Sequence, residues 1–210
     1  MATPLSSTTD NYPRPSLTAD IVVWAVRSRQ PHVLLVQRRH APYAGYWAFP
    51  GGFMDITETL EQAAHRELAE ETGVVGLALE PLLPFDAPDR DPRKRVITMA
   101  YLALIGEEEA DLPVQAGDDA AAAQWWPVAH LPSLAFDHDH ILATARAHLC
   151  RRLLHEDLGR RLLPGPFTAR QINRAFAAVL GEPVVSRSIL RVLRAAGVIA
   201  AIGGGRYRYL

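Results

Sequence analysis

The stretch 58–72 constrains this chain more than any other feature, because it predicts a helix with acidic residues on the side that its apolar residues would bury. At about 100° per residue, Glu67 and Glu71 fall on the same arc as Leu60 and Ala64. Lone buried carboxylates are costly, so these side chains must be protonated, paired with cations or bound to a metal ion. The alternative is a helix turned so that the acids face water.

Arg66 is the cation nearest to these acids along the sequence. On the helical wheel it lies beside Glu70 but away from Glu67 and Glu71, so pairing within the helix is not expected to neutralise all three glutamates. Mg²⁺ prefers clustered carboxylate and carbonyl oxygens. The placement of the acids therefore favours a divalent-cation site.

Two adjacent glycines, Gly51 and Gly52, precede this helix in the segment PGGFMD. Glycine lets a backbone approach a ligand or expose a carbonyl to an ion, although a glycine pair alone usually marks only a turn. From Gly52 through Glu58 to the run RELAEETGV at 66–74, the spacing matches every defined position of the Nudix box. The chain therefore resembles the Nudix family over residues 17–155.

The resemblance implies an α/β fold in which an α/β/α sandwich surrounds a mixed sheet. It also implies a reaction in which Mg²⁺ or Mn²⁺ and an attacking water cleave a nucleoside diphosphate derivative. The implied metal ligands are the Gly51 carbonyl and the side chains of Glu67, Glu70 and Glu71. Of these, the implied catalytic groups are Glu70 and Glu71.

The other residues of the box have implied structural roles. They are Gly52, Glu58, Arg66 and Gly73, with an ion pair between Arg66 and Glu58. In Nudix enzymes the catalytic base often comes from a variable loop. The candidates here, which the sequence does not rank, are Glu107, Glu108, Glu109, Asp118 and Asp119.

Residues close to the box are candidates for binding the substrate. Arg38 and Arg39 end a predicted strand and are suited to bidentate contact with phosphates, unless they are a surface pair. The aromatic candidates for stacking on a nucleobase, each of which has core packing as its alternative, are Trp47, Phe53, Trp125 and Trp126. Nudix enzymes that cleave ADP-ribose often carry a proline beyond the box, and Pro88 and Pro92 lie in that region.

The last sixty residues differ in charge from the rest of the chain. Residues 1–150 hold 10 Arg, one Lys and 20 acidic residues, a net charge of −9, whereas residues 151–210 hold 11 Arg and three acidic residues, a net charge of +8. Such asymmetry suggests a polyanionic partner for the second segment. The alternative is a solvated surface in a chain that uses Arg almost in place of Lys.

Residues 163–210 predict a helix, a turn, a second helix and a β-hairpin, the outline of a winged helix-turn-helix. Thr168 and Ser186 are candidate helix caps, and Gly181 and Gly197 are candidate stops. The DNA-contacting candidates are Arg187, Arg191 and Arg194 on the second helix, with Arg206 and Arg208 in the hairpin. Packing or dimerisation is the alternative role of this module.

The whole chain is similar to a narrower group, in which a Nudix domain precedes a winged helix and acts as a transcriptional repressor of NAD or sugar metabolism that senses ADP-ribose. The segments LPSLAFDHDHIL at 131–142 and LLPGPFTARQI at 162–172 carry that similarity. We expect a flexible arm at 1–16, a Nudix domain at 17–155 and a winged-helix domain at 163–210.

Two functions are compatible with this sequence. The first is Mg²⁺-dependent hydrolysis of ADP-ribose or a related nucleotide, which the intact box favours. The second is regulation by binding double-stranded DNA, with the Nudix domain as the sensor; a homodimer is expected, because a symmetric DNA site requires one. A single cysteine, Cys150, and the absence of a signal peptide or an 18-residue apolar run predict a cytoplasmic protein without a membrane partner.

Overall fold

The computed structural model describes residues 13–105, 112–117, 120–155, 158–163, 165–181 and 186–210. Its larger sheet contains β1 (Ser16–Arg27), β2 (Gln30–Arg38), β3 (Trp47–Ala48), β4 (Gly51–Phe53), β5 (Glu80–Phe85), β6 (Val96–Ile105) and β7 (Ala120–Pro127). The main strand order is β3-β2-β1-β6-β5, with β4 also paired to β1 and β7 to β2. Strand β1 is parallel to β6 and antiparallel to β2, so the sheet is mixed as predicted.

Helices cover both faces of the sheet. The side chains of β1 alternate between the two faces. Ile21 and Val23 pack in the cluster that contains Leu68 of α1 (Leu60–Thr72). Val22 and Trp24 pack in the cluster that contains α2 (His138–His155). This arrangement confirms the predicted α/β/α sandwich.

The C-terminal segment forms a second, smaller unit. Its elements are α3 (Leu158–Leu162), β8 (Phe167–Thr168), α4 (Ala169–Leu180), α5 (Ser186–Ala195), β9 (Ile199–Gly203) and β10 (Arg206–Tyr209). Thr168 caps α4 through a capping box with Gln171, and Gly181 ends it in the left-handed conformation. The three short strands pair in the order β8-β10-β9. Two helices followed by a hairpin confirm the predicted winged-helix arrangement.

The two units share one hydrophobic cluster. It contains Trp24 of β1 together with Phe176 and Val179 of α4. The indole Nε1 of Trp24 donates a hydrogen bond to the Val179 carbonyl at 3.0 Å, and the bond is buried. Helix α2 contributes Leu149 and Leu153 to the same cluster. The boundary between residues 155 and 163 remains a prediction.

Strand β5 contains two prolines, Pro81 and Pro84, which by themselves indicate a loop. It pairs antiparallel with β6 at the edge of the sheet, and its register shifts between Pro81 and Pro84. Proline lacks the N–H that a central strand needs, but an edge strand tolerates it.

Within the described residues, none of the helices combines the length and apolar character that crossing a membrane requires.

Candidate active site

Helix α1 carries the predicted acids, and both of its ends are fixed by local signals. Thr59 accepts a hydrogen bond from the Gln62 N–H in a capping box, and Gly73 ends the helix with φ 72°. The buried face of α1, which includes Leu68, packs against β1. Because that face is fixed, Glu67 and Glu71 project along its edge toward β4.

Glu71 is the more enclosed of the two glutamates. Its Oε2 accepts a hydrogen bond of 2.9 Å from the Gly51 N–H. Burial raises the pKa of Glu71 to about 8; the Gly51 hydrogen bond opposes that shift, and the charges of Glu67 and Asp20 add to it. A carboxylate in this position is stabilised by a cation, because a nearby positive charge offsets both the desolvation and the repulsion.

Glu67 lies against the backbone of Gly52. A Cβ at position 52 would clash with the carboxylate, 2.7 Å from Oε2. Burial raises the pKa of Glu67, and Arg66 opposes that shift. Position 52 therefore has to be glycine for the Glu67 side chain to stay where it is, which gives this glycine of the box a steric role.

Arg66 holds the acids of the box together. It donates to Glu58 Oε1 at 2.6 Å and to Glu58 Oε2 at 3.1 Å, as the resemblance implied. It also donates to Glu67 at 2.8 Å and to Glu70 at 3.2 Å. The expectation that Arg66 lies away from Glu67 is therefore wrong, because its long side chain reaches across the 100° that separates adjacent residues on the wheel.

Glu70 has a different environment from Glu67. Its side chain is 61% exposed, compared with 15% for Glu67, and its recorded contact is with Arg66. Among the described residues it does not line the cavity next to the other two glutamates. Its roles in metal binding and catalysis remain predictions.

A cavity of about 480 Å³ lies between the box and the ends of β1 and β2. Its lining residues include the acids Glu67, Glu71 and Asp20 and the arginines Arg38 and Arg39. Burial lowers the pKa of Arg38, and the charge of nearby Arg93 adds to that shift. Carboxylates beside clustered guanidinium groups suit a ligand that is anionic and carries divalent cations.

The aromatic candidates separate into two groups. Phe53 lines the cavity, with the Lys94 Nζ 4.2 Å from its ring centre. Trp47 does not line it; the ring packs edge-on against Trp126 at 5.2 Å between centroids. Trp125 lies under Arg27, away from this cavity. The structure therefore brings Phe53 to the site and gives Trp47 a packing role.

Several cavity residues were not anticipated from the sequence. Asp20 and Arg90 are almost fully buried, and Arg90 bridges Asp20 at 3.4 Å and Asp137 at 2.7 Å. The Nδ1 of buried His138 accepts the Phe49 N–H at 2.9 Å. The sequence signal that could have located this part of the cavity is Asp20, which lies in the apolar run LTADIVVWAV. A buried acid needs polar partners, so it marks a polar site within the core.

The carboxylates of the cavity offer a donor set for a divalent cation. The two enclosed carboxylates of Glu67 and Glu71 supply the hard oxygen atoms that Mg²⁺ and Mn²⁺ prefer. In the described part of the chain, no three carboxylate, histidine or cysteine side chains converge as a metal-binding group, and Glu67 is paired with Arg66. The contact of Gly51 with Glu71 is made by its N–H. The residues therefore fit an ion that competes with Arg66 for the Glu67 carboxylate.

The candidate bases at 107–109 and 118–119 lie outside the described residues. The candidate DNA-contacting side chains are described, and all five are exposed: Arg187, Arg191, Arg194, Arg206 and Arg208. Residues 186–210 contain no acid, so nothing in this segment neutralises them. On β10 the arginines alternate with Tyr207 and Tyr209, whose rings pack against Phe167.

Comparison with known proteins places these features in context. The model of the NUDIX domain matches residues 16–145. The ADPR responsive transcriptional repressor NtrR of Acinetobacter baylyi is 31% identical over 191 residues, which cover 90% of this chain and 76% of the repressor. An ADP-ribose pyrophosphatase of Methanocaldococcus jannaschii is 38% identical over 132 residues, which cover 62% of this chain and 73% of the enzyme.

A solved structure extends the similarity to both units. The crystal structure of Shewanella oneidensis NrtR complexed with a 27mer DNA superposes with a TM-score of 0.63 at 32% identity. The match covers 92% of this chain and 92% of that protein. The similarity therefore includes the winged-helix segment as well as the larger unit, whose helix α1 carries the carboxylates.

Proposed function

Since the chain belongs to the NUDIX family, we propose that it hydrolyses the diphosphate of ADP-ribose or a related nucleoside diphosphate derivative with a divalent cation, Mg²⁺ or Mn²⁺. The observation that carries this proposal is the pair of enclosed carboxylates, Glu67 and Glu71, in a cavity that arginines also line. A relative of 38% identity is an ADP-ribose pyrophosphatase, which supports ADP-ribose as the substrate class.

Each side chain of the box has a role in this proposal. The metal-binding groups are Gly51, Glu67, Glu70 and Glu71, and the catalytic groups are Glu70 and Glu71. The bound cation neutralises charge that develops on phosphoryl oxygens and lowers the pKa of water. Arg66 positions the acids through its contacts with Glu58 and Glu67. Gly52 leaves room for the Glu67 carboxylate, and Gly73 ends α1.

The substrate-binding residues in this proposal are Arg38, Arg39 and Phe53. The two guanidinium groups bind phosphoryl oxygens, since both arginines line the same cavity as the carboxylates. Phe53, 36% exposed at the cavity, offers a ring face to the nucleobase.

Turnover tests the hydrolase directly. Purified protein with ADP-ribose and Mg²⁺ is expected to release AMP and ribose 5-phosphate, and Glu71→Gln is expected to lower the rate by at least a hundredfold. Glu61→Gln is the matched control, because Glu61 lies exposed on the same helix. Absence of turnover by wild-type protein across a panel of nucleoside diphosphate derivatives contradicts the proposal.

A second function is favoured by the exposed arginines of α5 and β10. We propose that residues 163–210 bind double-stranded DNA in a homodimer, with the Nudix domain as an ADP-ribose sensor. A relative covering 90% of this chain is an ADPR responsive repressor, which supports this role. Phosphate contacts make such binding depend on salt.

Retardation of DNA from the gene's own upstream region tests this second function. Arg191→Ala is expected to weaken binding and reduce the dependence of affinity on salt concentration. Arg29→Ala, which removes an exposed arginine from the turn between β1 and β2, is the control. Equal retardation by both variants, or none by the wild type, counts against DNA binding.

A further inference from the structure

The segment Phe136-Asp137-His138 joins the cavity to the start of α2. Phe136 and His138 line the cavity. Phe136 has φ 54°, in the left-handed region that bulky residues rarely adopt, and the Arg38 guanidinium lies 4.8 Å from its ring centre. The ring of His138 stacks on Phe49 at 5.5 Å between centroids. The chain is thus held in an unusual conformation between the ligand site and a helix.

Asp137 is the first residue before α2, but its side chain does not cap that helix. Its backbone carbonyl accepts hydrogen bonds from the His140 and Ile141 N–H groups. Its carboxylate instead forms a two-bond pair with Arg90, at 3.0 Å from Nε and 2.7 Å from Nη2. An aspartate at this position ordinarily accepts from the free N–H groups of the first turn. Asp137 therefore has two alternative partners.

Arg90 is the group for which a ligand would compete. Its side chain is 4% exposed and shared between Asp20 and Asp137. Its Nη1 has no hydrogen-bond acceptor among the described residues, although the side chain lines the cavity. A phosphoryl oxygen that binds Nη1 shares the single guanidinium charge with Asp137. It therefore weakens the ion pair between Arg90 and Asp137.

Helix α2 begins beside Asp137 at the cavity and packs against the helices of the winged-helix unit. Its buried residues Ile141, Ala145, Leu149 and Leu153 lie in the cluster that also contains residues of α4 and α5. Packed interiors transmit small shifts because they resist compression. Helix α2 therefore connects residue 137 through one packed cluster to α4 and to α5, the helix that carries three of the candidate DNA contacts.

We propose that Arg90 binds an anionic oxygen of the ligand, that Asp137 is thereby released to cap α2, and that this exchange of partners signals occupancy of the cavity to α4 and α5. The proposal rests on the proposed function in one respect, that the ligand carries a diphosphate. It assigns Arg90 to ligand binding and Asp137 to positioning.

Two substitutions of Asp137 distinguish its pairing with Arg90 from its capping of α2. Asp137→Ser removes the pair with Arg90 but keeps a side chain that caps helices well, so it imitates the occupied state. Asp137→Ala removes both. Asp139→Ser is the matched control, because Asp139 begins the same helix and its recorded bond is with the His140 N–H rather than with Arg90.

Hydrogen exchange of the full chain, with and without ADP-ribose, measures the response. In the wild type, ADP-ribose is expected to slow exchange at 139–141 by about fivefold, the effect of one helix cap. It is also expected to change exchange at 172–180 by at least about twofold, the smaller response of a packed neighbour. Ligand-free Asp137→Ser should show both changes already, and Asp137→Ala neither. Asp139→Ser should leave exchange at 172–180 unchanged; it is compared there only, because Asp139 itself accepts the His140 N–H.

The outcomes distinguish this proposal from the proposed function. Calorimetry shows whether ADP-ribose binds at all, and failure to bind excludes ADP-ribose as the ligand without bearing on the coupling through Asp137. In that case, hydrogen exchange of the ligand-free Asp137 variants still tests whether residue 137 is coupled to α4. If Asp137→Ser matches the wild type at 172–180, or if ADP-ribose changes that segment equally in Asp137→Ala, the coupling through Asp137 is overturned.

Discussion

Replacing Glu71 with glutamine measures how strongly the fold disfavours a charge at this position. Burial raises the pKa of Glu71 from 4.5 to about 8, the Gly51 hydrogen bond opposes the shift, and the charges of Glu67 and Asp20 increase it. Glutamine keeps an oxygen that accepts the Gly51 N–H and removes the ionisation. The substitution therefore isolates the electrostatic cost.

The sign and size of the effect follow from proton linkage. Below pH 4.5 the Glu71 carboxyl is protonated in the folded and the unfolded chain, so it causes no loss of stability. Between pH 4.5 and about 8 the unfolded chain releases the proton more readily, so the stability of the wild type falls as pH rises. At about 1.4 kcal/mol per pKa unit, Glu71→Gln is expected to exceed the wild type by about 3 kcal/mol at pH 7.

Urea unfolding of the metal-free protein at pH 4.5 and pH 7 measures this difference, since its midpoint and slope give the free energy of unfolding. The two proteins should differ by less than about 1 kcal/mol at the lower pH. Addition of Mg²⁺ at pH 7 should stabilise the wild type and leave Glu71→Gln unchanged. Equal unfolding free energies of the two metal-free proteins at pH 7 would refute the inferred environment of Glu71.

Three further substitutions test other parts of the molecule. Gly52→Ala should push the Glu67 carboxylate aside and lower Mg²⁺ affinity at least tenfold by calorimetry; unchanged affinity would contradict the steric role of Gly52. Arg191→Lys, which keeps the charge, should retain most of the DNA affinity that Arg191→Ala loses in a gel shift, and equal losses would point to a specific contact. Trp24→Phe should leave the Val179 carbonyl unpaired and cost about 1–3 kcal/mol in urea unfolding, whereas a neutral effect would exclude that bond as a stabilising contact.

The sequence predicted the placement of Glu67 and Glu71 because the helical period is a property of the backbone. Thr59 and Gly73 fixed where the helix starts and stops, so the wheel had the correct phase. Arg66 was placed wrongly, because its reach depends on side-chain torsions that a wheel ignores. Local periodicity thus predicts where a side chain starts but not where its charged end lies.

The wall of the cavity could not be predicted in the same way. Asp20 and Arg90 are separated by seventy residues along the chain, and only the topology of the sheet brings them together. Strand β5 could not be predicted locally, because its two prolines indicate a loop more strongly than its apolar residues indicate a strand. The winged helix was easier to predict, since its helix caps and its glycine-rich hairpin are short-range sequence signals.

The hydrogen bond between Trp24 and Val179, together with the interior that surrounds it, has a consequence for how such a chain can evolve. A chain cut between residues 155 and 163 would expose to water the apolar faces of β1 and α2 that α4 now covers. Replacing the winged-helix unit with a different DNA-binding domain would require a compatible linker. It would also require an apolar surface on the new domain that packs against β1 and α2. The enzyme-like part and its C-terminal partner are therefore expected to be inherited together and to unfold together.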